Sequence, residues 1–375
     1  MNLNTSQHLC HKDIVNLGSF YTPYKYVMLA GEWLRSEGID NSYTILDSSC
    51  GYGAFFELSQ LFAENKYVGN DIDSKAIKMI PSAFPFVRLF NLNALVNVCR
   101  KQFEIGDKEK LIIVGNPPYN DTTSIINQNI KTNDIEMDKD IKTRDLGMSS
   151  LLSYNKLKAD YVLILHPLSY LIKKANYKAT SEFFGNYEII NHIIFNSQEF
   201  ANTSKVNGFP IIMALYKRNP GSGIKENDVR KFPFHTTEGY NFIIDKRDYL
   251  SDYIQKYPHK VRYSPEILFY TLRDINALTR SRTFVKERIT NAIDVDPEKL
   301  SYYCYIDCFK KYASTPYYMG NFDVPFIANE FDAIKNVVVK ISKHNHQEIF
   351  GKSPKPTLKE EQKVIDYINK VLLYS

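Results

Sequence analysis

Two short motifs in the first half of the sequence combine residue types that bind and activate small ligands. The first runs from Asp47 to Phe55 (DSSCGYGAF), between a β-leaning run and a helical stretch. Glycines at such a turn let a ligand approach the backbone, and a helix N-terminus adds positive potential. Asp71 follows the next apolar run, about 20 positions on, where nucleotide-binding folds place a carboxylate that binds ribose hydroxyls. The alternative is a turn glycine with a solvated aspartate, but the pair favours a site for an adenosine-containing ligand.

The second motif is Gly115-Asn116-Pro117-Pro118-Tyr119. Two consecutive prolines restrict the backbone and remove two N–H donors, so the Asn116 side chain and the Pro117 carbonyl are held as acceptors. Tyr119 adds a flat aromatic face. A proline-kinked surface turn is the structural alternative, but the position after a strand favours a site that grips a planar amine and stacks its ring.

Short apolar runs alternate with helical stretches around these motifs. The alternation predicts a mostly parallel, doubly wound α/β sheet with helices on both faces. The predicted strands are Tyr43–Asp47, Tyr67–Gly69, Val87–Phe90, Leu111–Gly115, Tyr161–Leu165 and Ile211–Tyr216. The linker-like run KRNPGSGIKEND places a domain boundary after residue 217, giving domains 1–217 and 218–375.

Two further segments carry expectations about local structure. Residues 56–65 are predicted to be helical, as are residues 357–373 near the end of the chain. The polar stretch 120–150 follows the proline motif directly and is expected to be a long functional loop.

Composition limits the class of protein. With 44% hydrophobic and 24% charged residues, the chain is globular over most of its length, and no apolar run approaches a membrane span. The polar N-terminus resembles no secretory signal, so we expect a soluble, cytoplasmic protein with no membrane partner. Cys304, Cys308, His344 and His346 could be read as metal ligands, but their spacing lacks a second tight pair and predicts no metal. A net charge of +5 permits a polyanionic partner without requiring one.

Five segments, in their order along the chain, resemble the gamma-class N6-adenine DNA methyltransferases of bacterial restriction-modification systems. They are Gly18–Pro23 (GSFYTP), Asp47–Phe55, Asp71, Asn93–Leu95 and Asn116–Tyr119 (NPPY). The resemblance covers roughly residues 15–217. It implies a Rossmann-like methyltransferase sheet, a C-terminal α+β target-recognition domain, S-adenosylmethionine as the methyl donor, and double-stranded DNA as the substrate.

The resemblance also implies which residues hold the cofactor. Those matching the family's positions are Tyr21, Thr22 and Pro23 at the methionine end, Asp47, Ser49 and Gly51 beneath it, Asp71 at the ribose, Ile72 and Asn93 at the adenine, and Asn116 at the methyl group. Asn93 departs from the usual aspartate, although its amide oxygen can still accept a hydrogen bond. Ser48 stands where the family often has proline, which loosens the turn.

For catalysis, the resemblance implies an adenine flipped out of the duplex. Asn116 and the Pro117 carbonyl would accept hydrogen bonds from its amine, and Tyr119 would stack on its ring. Phe200 is the first candidate for the opposite face and Phe209 the second, with ordinary core packing as the alternative for both. No general base is required, so His166 is interpreted as structural.

The C-terminal part is expected to recognise the DNA sequence. Its densest basic run contains Arg280, Arg282, Lys286 and Arg288, which could contact phosphates or guanine edges, or could form a solvated helix face. A separate cognate restriction endonuclease is a further expected partner. Two alternative functions stay open: a protein glutamine N5-methyltransferase, and a catalytically inert DNA-binding subunit.

Overall fold

The computed structural model describes residues 22–119, 136–200, 208–272 and 274–373, and these form two compact units. The first unit comprises the described residues up to Val229 together with Phe234–Tyr240. The second comprises Arg230–Pro233 and the described residues from Asn241 onward. The linker-like run after residue 217 therefore begins inside the first unit, and the division of functions between residues 1–217 and 218–375 stays a prediction.

A seven-stranded sheet forms the centre of the first unit, in the order β3-β2-β1-β4-β5-β7-β6. Strands β1 to β5 pair in parallel, and β7 runs antiparallel to both β5 and β6. The strands are β1 (Tyr43–Asp47), β2 (Lys66–Asn70), β3 (Arg88–Phe90), β4 (Lys110–Gly115), β5 (Tyr161–Pro167), β6 (Tyr187–Asn196) and β7 (Pro210–Arg218). This arrangement confirms the predicted doubly wound, mostly parallel sheet.

The order of the strands reverses between β1 and β4. From β1 the chain adds β2 and β3 on one side, then returns to pair β4 with the other side of β1. Ligands of open α/β sheets bind outside the carboxyl ends of the strands at such a switch point. The Asp47 and Asn116 motifs follow β1 and β4, so the topology brings both to this position.

Helices connect the strands of the first unit. They are α1 (Tyr24–Ser36), α2 (Ser74–Met79), α3 (Leu146–Leu157), α4 (Ser169–Ile172), α5 (Lys174–Ala179), α6 (Ser181–Asn186) and α7 (Glu226–Lys231), which contains one of the divisions between units. The two-residue β8 (Phe234–His235) also belongs here.

Two local expectations were wrong in part, and one strand was missed. The predicted helix at residues 56–65 is a 3₁₀ helix over Ala54–Gln60, and α3 begins at Leu146 inside the stretch 120–150 expected to be a loop, of which residues 120–135 lie outside the described residues. Strand β6 was missed because Glu188, Asn191 and His192 interrupt its apolar pattern. It pairs along its length with β7, and an isolated bridge joins its Ile194 to Thr236. Its register shifts between Ile189 and Asn191, and it buries less of its surface than the central strands do.

His166 lies in the buried strand β5. Its Nε2 lies 2.7 Å from the Tyr216 hydroxyl, and its Nδ1 lies 2.9 Å from the Pro167 carbonyl oxygen. Since a carbonyl only accepts, Nδ1 donates and Nε2 accepts from Tyr216. Burial lowers the pKa of His166 to about 4, so the imidazole is neutral and its hydrogen bonds are structural.

We expect acid to destabilise the first unit through His166. Because its folded-state pKa is depressed, the stabilisation is complete above the ordinary value of about 6.5 and is lost as the pH falls toward 4. At pH 5 the loss from one such group is about 2 kcal/mol. Denaturant unfolding at pH 7.5 and pH 5 should show a smaller pH dependence for His166→Gln than for the unmodified chain. His192, whose pKa burial also lowers to about 4, supplies a residual slope in both. Equal slopes would contradict the assignment.

The second unit is α+β. Its strands are β9 (Asn241–Phe242), β10 (Asp248–Tyr249), β11 (Leu268–Tyr270), β12 (Phe284–Val285), β13 (Ala292–Asp294) and β14 (Pro325–Phe326). Its helices are α8 (Ile275–Arg280), α9 (Leu300–Tyr312), α10 (Lys335–Asn345), α11 (Gln347–Phe350) and α12 (Leu358–Leu373). β11 is the central strand of an antiparallel three-stranded sheet, with β12 and β13 on its two sides.

Asp307 anchors the core of this unit. Its carboxylate accepts hydrogen bonds from Thr283 (2.6 Å), Ser342 (2.8 Å) and His346 (3.0 Å). Burial raises the pKa of Asp307, but these hydrogen bonds outweigh burial and lower it overall. The same pairing raises the pKa of His346. His346 therefore has a structural partner in the core.

Among the described residues, no helix is both long and apolar enough to cross a membrane. In the same part of the chain, no group of three or more His, Cys, Asp or Glu side chains is arranged to hold a metal ion.

Candidate cofactor and amine-binding site

The loop after β1 is tied to the end of β2. Cys50 donates its backbone N–H to the Asn70 carbonyl (2.8 Å), and Gly51 donates to Asp71 Oδ2 (2.7 Å). Gly51 has φ +50°, and a Cβ added there would meet no atom within 4 Å. The backbone at this glycine therefore borders open space, and its conformation is one that residues other than glycine rarely adopt.

Two carboxyl groups lie close beneath this loop. Asp47 is 2% exposed and accepts a hydrogen bond from the Ser49 N–H (3.1 Å). Asp71 accepts from Asp73 (2.8 Å) as well as from Gly51. Burial raises the pKa of both groups, and the neighbouring Asp71 charge raises that of Asp47 further. A cationic ligand bound here would offset the cost of ionising them.

Asn70 is a site residue that sequence reasoning missed. It is 1% exposed, and its Nδ2 donates to the carbonyls of Ser48 (3.0 Å) and Leu92 (3.1 Å). Its Oδ1 accepts from the Leu92 N–H (3.0 Å). Asn70 thus joins the loops that follow β1 and β3. The sequence signal for this role was an asparagine placed between an apolar run and Asp71.

The two predicted adenine contacts differ in exposure and bonding. Ile72 is 63% exposed, which is unusual for isoleucine and suits a flat apolar partner. Asn93 donates from Nδ2 to the Glu136 carbonyl (2.7 Å), and its Oδ1 accepts from the Leu95 N–H (3.1 Å). Asn93 Oδ1, which was predicted to contact adenine, therefore already accepts a hydrogen bond within its own turn.

The proline motif begins directly beside Asp47. A Cβ added at Gly115, the last residue of β4, would lie 3.0 Å from Asp47 Oδ1, so the two strand ends approach closely. Asn116 is half-buried and Pro117 is buried. The Tyr119 hydroxyl donates to Asn116 Oδ1, and burial raises the Tyr119 pKa well above its usual range. A carbonyl oxygen has two lone pairs, so an amide oxygen of this kind can accept up to two hydrogen bonds.

Asp145 and Tyr170 are a second pair that sequence reasoning missed. Asp145 caps α3, accepting at Oδ1 from the N–H groups of Gly147 (2.9 Å) and Met148 (3.3 Å), and it also accepts from the Tyr170 hydroxyl. The negative charge of Asp145 contributes to the raised pKa of Tyr119, which places the two groups near each other. The start of α3 therefore helps define the surroundings of the proline motif.

We expect Asp145→Ala to lower the free energy of unfolding by about 1–2 kcal/mol, because it removes a helix N-cap. Asp145→Asn keeps an acceptor oxygen and should cost less. Chemical denaturation of the two variants measures the difference. Equal stability of the alanine variant and the unmodified chain would show that the cap contributes nothing.

The remaining predicted residues of the first unit lie in its core or at its edge. Phe200 is 3% exposed and packs edge-to-face on Phe195, with ring centroids 5.5 Å apart. Phe209 is half-buried and packs against the hydrophobic cluster that contains Phe195 and Phe200. Thr22 is buried, and Pro23 precedes α1. Tyr21 lies outside the described residues. The proposed ligand contacts of these residues stay predictions.

The four basic candidates of the second unit differ in their environment. Arg280 ends α8, and Arg282 and Lys286 are exposed. Arg288 is held by Asp294, with both nitrogen–oxygen distances at 2.7 Å, and by Glu266. These bonds raise the pKa of Arg288. Its charge is therefore largely neutralised within the protein.

No protein-family model matches the chain, and no curated protein does. Solved structures resemble it. A protein of Vibrio vulnificus YJ016, described as a modification subunit of a type I restriction enzyme, is 16% identical, with a TM-score of 0.44, over 58% of this chain and 47% of that chain. The type I restriction-modification methyltransferase subunit of Streptococcus thermophilus is 15% identical, with a TM-score of 0.41, over 66% and 55% of the two chains. An S-adenosylmethionine-dependent methyltransferase of Anabaena variabilis is 15% identical, with a TM-score of 0.33, over 56% and 92%. The matched region spans about half the length of the first two proteins.

Proposed function

We propose that this protein transfers a methyl group from S-adenosylmethionine to N6 of an adenine in double-stranded DNA. The observation that carries the proposal is the meeting of two loops at the switch point of the sheet. The loop after β1 offers open backbone at Gly51 beside the buried Asp47 carboxyl group and the partly exposed Asp71, and the Asn-Pro-Pro-Tyr motif starts beside Asp47. One loop suits a cationic adenosine ligand, and the other suits a planar amine.

The residues present fit the cofactor. The carboxyl groups of Asp47 and Asp71 complement its positive charges, the open backbone at Gly51 admits it, and the exposed Ile72 offers an apolar surface for its adenine. When bound, S-adenosylmethionine supplies an electrophilic methyl group on a positively charged sulfur. The proposed cofactor site also includes the contacts that the resemblance implies for Thr22, Pro23, Ser49 and Asn93.

The protein's part in the reaction is positioning. Asn116 Oδ1 and the Pro117 carbonyl accept the two N–H bonds of the target amine, which orients its lone pair toward the methyl group. The Tyr119 hydroxyl holds the Asn116 side chain, and its ring stacks on the base. Held in this way, the amine nitrogen would take the methyl group, the electrons of the S–C bond would stay on sulfur, and the amine would then lose a proton to solvent. Such positioning supplies several powers of ten in rate.

Transfer of a labelled methyl group tests the proposal. The protein is incubated with methyl-labelled S-adenosylmethionine and either unmethylated genomic DNA or a cell-protein extract, and the DNA product is sequenced for N6-methyladenine. Methyladenine within one short sequence supports the proposal and gives the recognition site. Label in protein glutamine instead of DNA would assign the activity to a glutamine N5-methyltransferase, and no transfer to either would favour an inert DNA-binding subunit. A separate restriction endonuclease as a partner is part of the same proposal.

We expect cofactor binding to weaken as the pH falls, and to do so at a higher pH than ordinary carboxyl groups would cause. Asp47 and Asp71 have raised pKa values, so their negative charges are lost earlier on acidification. The matched ligand is S-adenosylhomocysteine, which lacks the charge on sulfur. Calorimetric titrations from pH 8 to pH 5 should show a steeper loss of affinity for S-adenosylmethionine. Parallel curves for the two ligands would argue against a carboxylate–sulfonium interaction.

A further inference from the structure

A groove of about 640 Å³ opens on the surface of the second unit. Its lining comes from the end of β11, the end of α8 and the segment before β13, and includes Tyr270, Arg280, Arg282, Ile289 and Asn291. All of these elements belong to one compact unit. The volume lies within the range of sites that bind small molecules.

The lining of the groove is positively charged. Arg280 and Arg282 are both exposed, and the lining formed by described residues contains these two guanidinium groups and no carboxylate. The Lys310 ammonium group of α9 donates a hydrogen bond to the carbonyl of Ser281, the residue between the two arginines in the sequence. A third cation therefore lies near the groove. Arg288, only a few residues further on, is instead paired with Asp294 and Glu266. The structure therefore places Arg280 and Arg282 in the lining of the groove and Arg288 in ion pairs within the protein.

The groove also has an aromatic and a polar side. Tyr270 is half-buried, and its hydroxyl accepts a hydrogen bond from Asn291 Nδ2 (3.3 Å). Thr271 donates from Oγ1 to the Asn291 carbonyl (2.9 Å), which holds that segment against β11. Ile289 is 37% exposed beside them. A ring and an apolar side chain next to two guanidinium groups match a base next to a phosphate.

We propose that this groove binds one nucleotide of a DNA strand, with its phosphate on Arg280 and Arg282 and its base against Tyr270 and Ile289. The proposal rests on the proposed function for its choice of DNA, and it makes this groove a contact separate from the adenine-methylating site. Guanidinium groups bind phosphate oxygens in a bidentate manner, which suits two neighbouring arginines at the rim of one groove. The Asn291 amide lies where it can contact the edge of the base.

Binding of a fluorescent DNA duplex by the whole protein tests the groove. Arg280→Gln combined with Arg282→Gln should weaken binding roughly 10-fold per arginine at about 0.1 M salt, and should reduce the slope of log K against log salt by about 1.8. The control is Lys352→Gln with Lys355→Gln, which removes the same charge from exposed positions of the same unit outside the groove. Thermal melting confirms that both double variants are folded.

Two further measurements locate the contact. Tyr270→Leu keeps an apolar side chain and should weaken binding with no change in salt slope, because it removes stacking and no charge. Free deoxynucleoside monophosphates, titrated alone, show whether the groove takes a nucleotide outside a strand: binding of these equal to that of the duplex would overturn the assignment to DNA. A groove double variant with the affinity and salt slope of the control overturns the proposal outright.

The outcomes separate this proposal from the proposed function. If the unmodified protein methylates adenine and the groove variants bind and methylate DNA normally, the groove proposal fails and the function stands. If the groove variants lose DNA binding while the unmodified protein transfers no methyl group, the groove proposal stands and the function fails.

Discussion

Asn116→Ala is expected to reduce methyl transfer to DNA by about 10²–10³-fold, the loss typical of removing one positioned hydrogen-bonding group at a reacting centre. The alanine removes the oxygen that accepts the Tyr119 hydroxyl and that would accept the target amine. Gly51 after β1 and Asp71 after β2 are untouched, so the variant should retain most of its cofactor binding and lose only the contact predicted for Asn116. Initial rates with labelled S-adenosylmethionine and calorimetric cofactor titration measure the two effects.

Two companion variants sharpen this test. Asn116→Asp keeps an acceptor oxygen and should retain more activity than the alanine variant. Asn345→Ala makes the same substitution at the end of α10 in the second unit and should leave the rate unchanged. Full activity of Asn116→Ala would refute its role in gripping the amine.

Asp71→Ala is expected to weaken S-adenosylmethionine binding by about 1.5–3 kcal/mol, or roughly 10- to 150-fold in Kd. The substitution removes a carboxylate predicted to bind the ribose hydroxyls. It also removes the acceptor that holds the Gly51 and Asp73 N–H groups, so the loop bordering the ligand loses its anchor. Both losses act on the same ligand.

The matched control is Asp40→Ala. Asp40 is an exposed aspartate before β1, at the opposite end of that strand, and it accepts from the Ser42 N–H (3.0 Å). Its loss should leave the cofactor Kd unchanged. Asp71→Asn keeps the acceptor geometry and separates the anchoring of the loop from the charge. An unchanged Kd for Asp71→Ala would move the ribose site elsewhere.

Residues that act locally were accessible from the sequence. The strand at Tyr43–Asp47, the glycine turn that follows it and the proline motif after β4 depend on neighbours within a few positions. The α/β class follows from alternating apolar runs, because a parallel sheet needs a crossover after each strand. Strand β6 was not predicted, because polar residues interrupt its sequence and it lacks the continuous apolar run of the other strands.

Residues whose partners lie far along the chain could not be identified in this way. Asn70 bonds to Leu92, 22 positions away, and Asp145 to Tyr170, 25 positions away. Arg288 looked equivalent to Arg280 and Arg282, but Glu266 and Asp294 hold it in place. Only the fold decides whether an arginine meets a carboxylate or solvent.

The sequence by itself determined six of the seven strands of the central sheet and the chemical groups at their ends, because backbone preferences and burial patterns are local. The tertiary structure decided that the ends of β1 and β4 are adjacent, that the buried Asp47 lies near the partly exposed Asp71, and that Arg280 and Arg282 line a groove. These are contacts between segments distant in the chain, and their energies depend on burial and on partners that exist only once the sheet and the helices have packed.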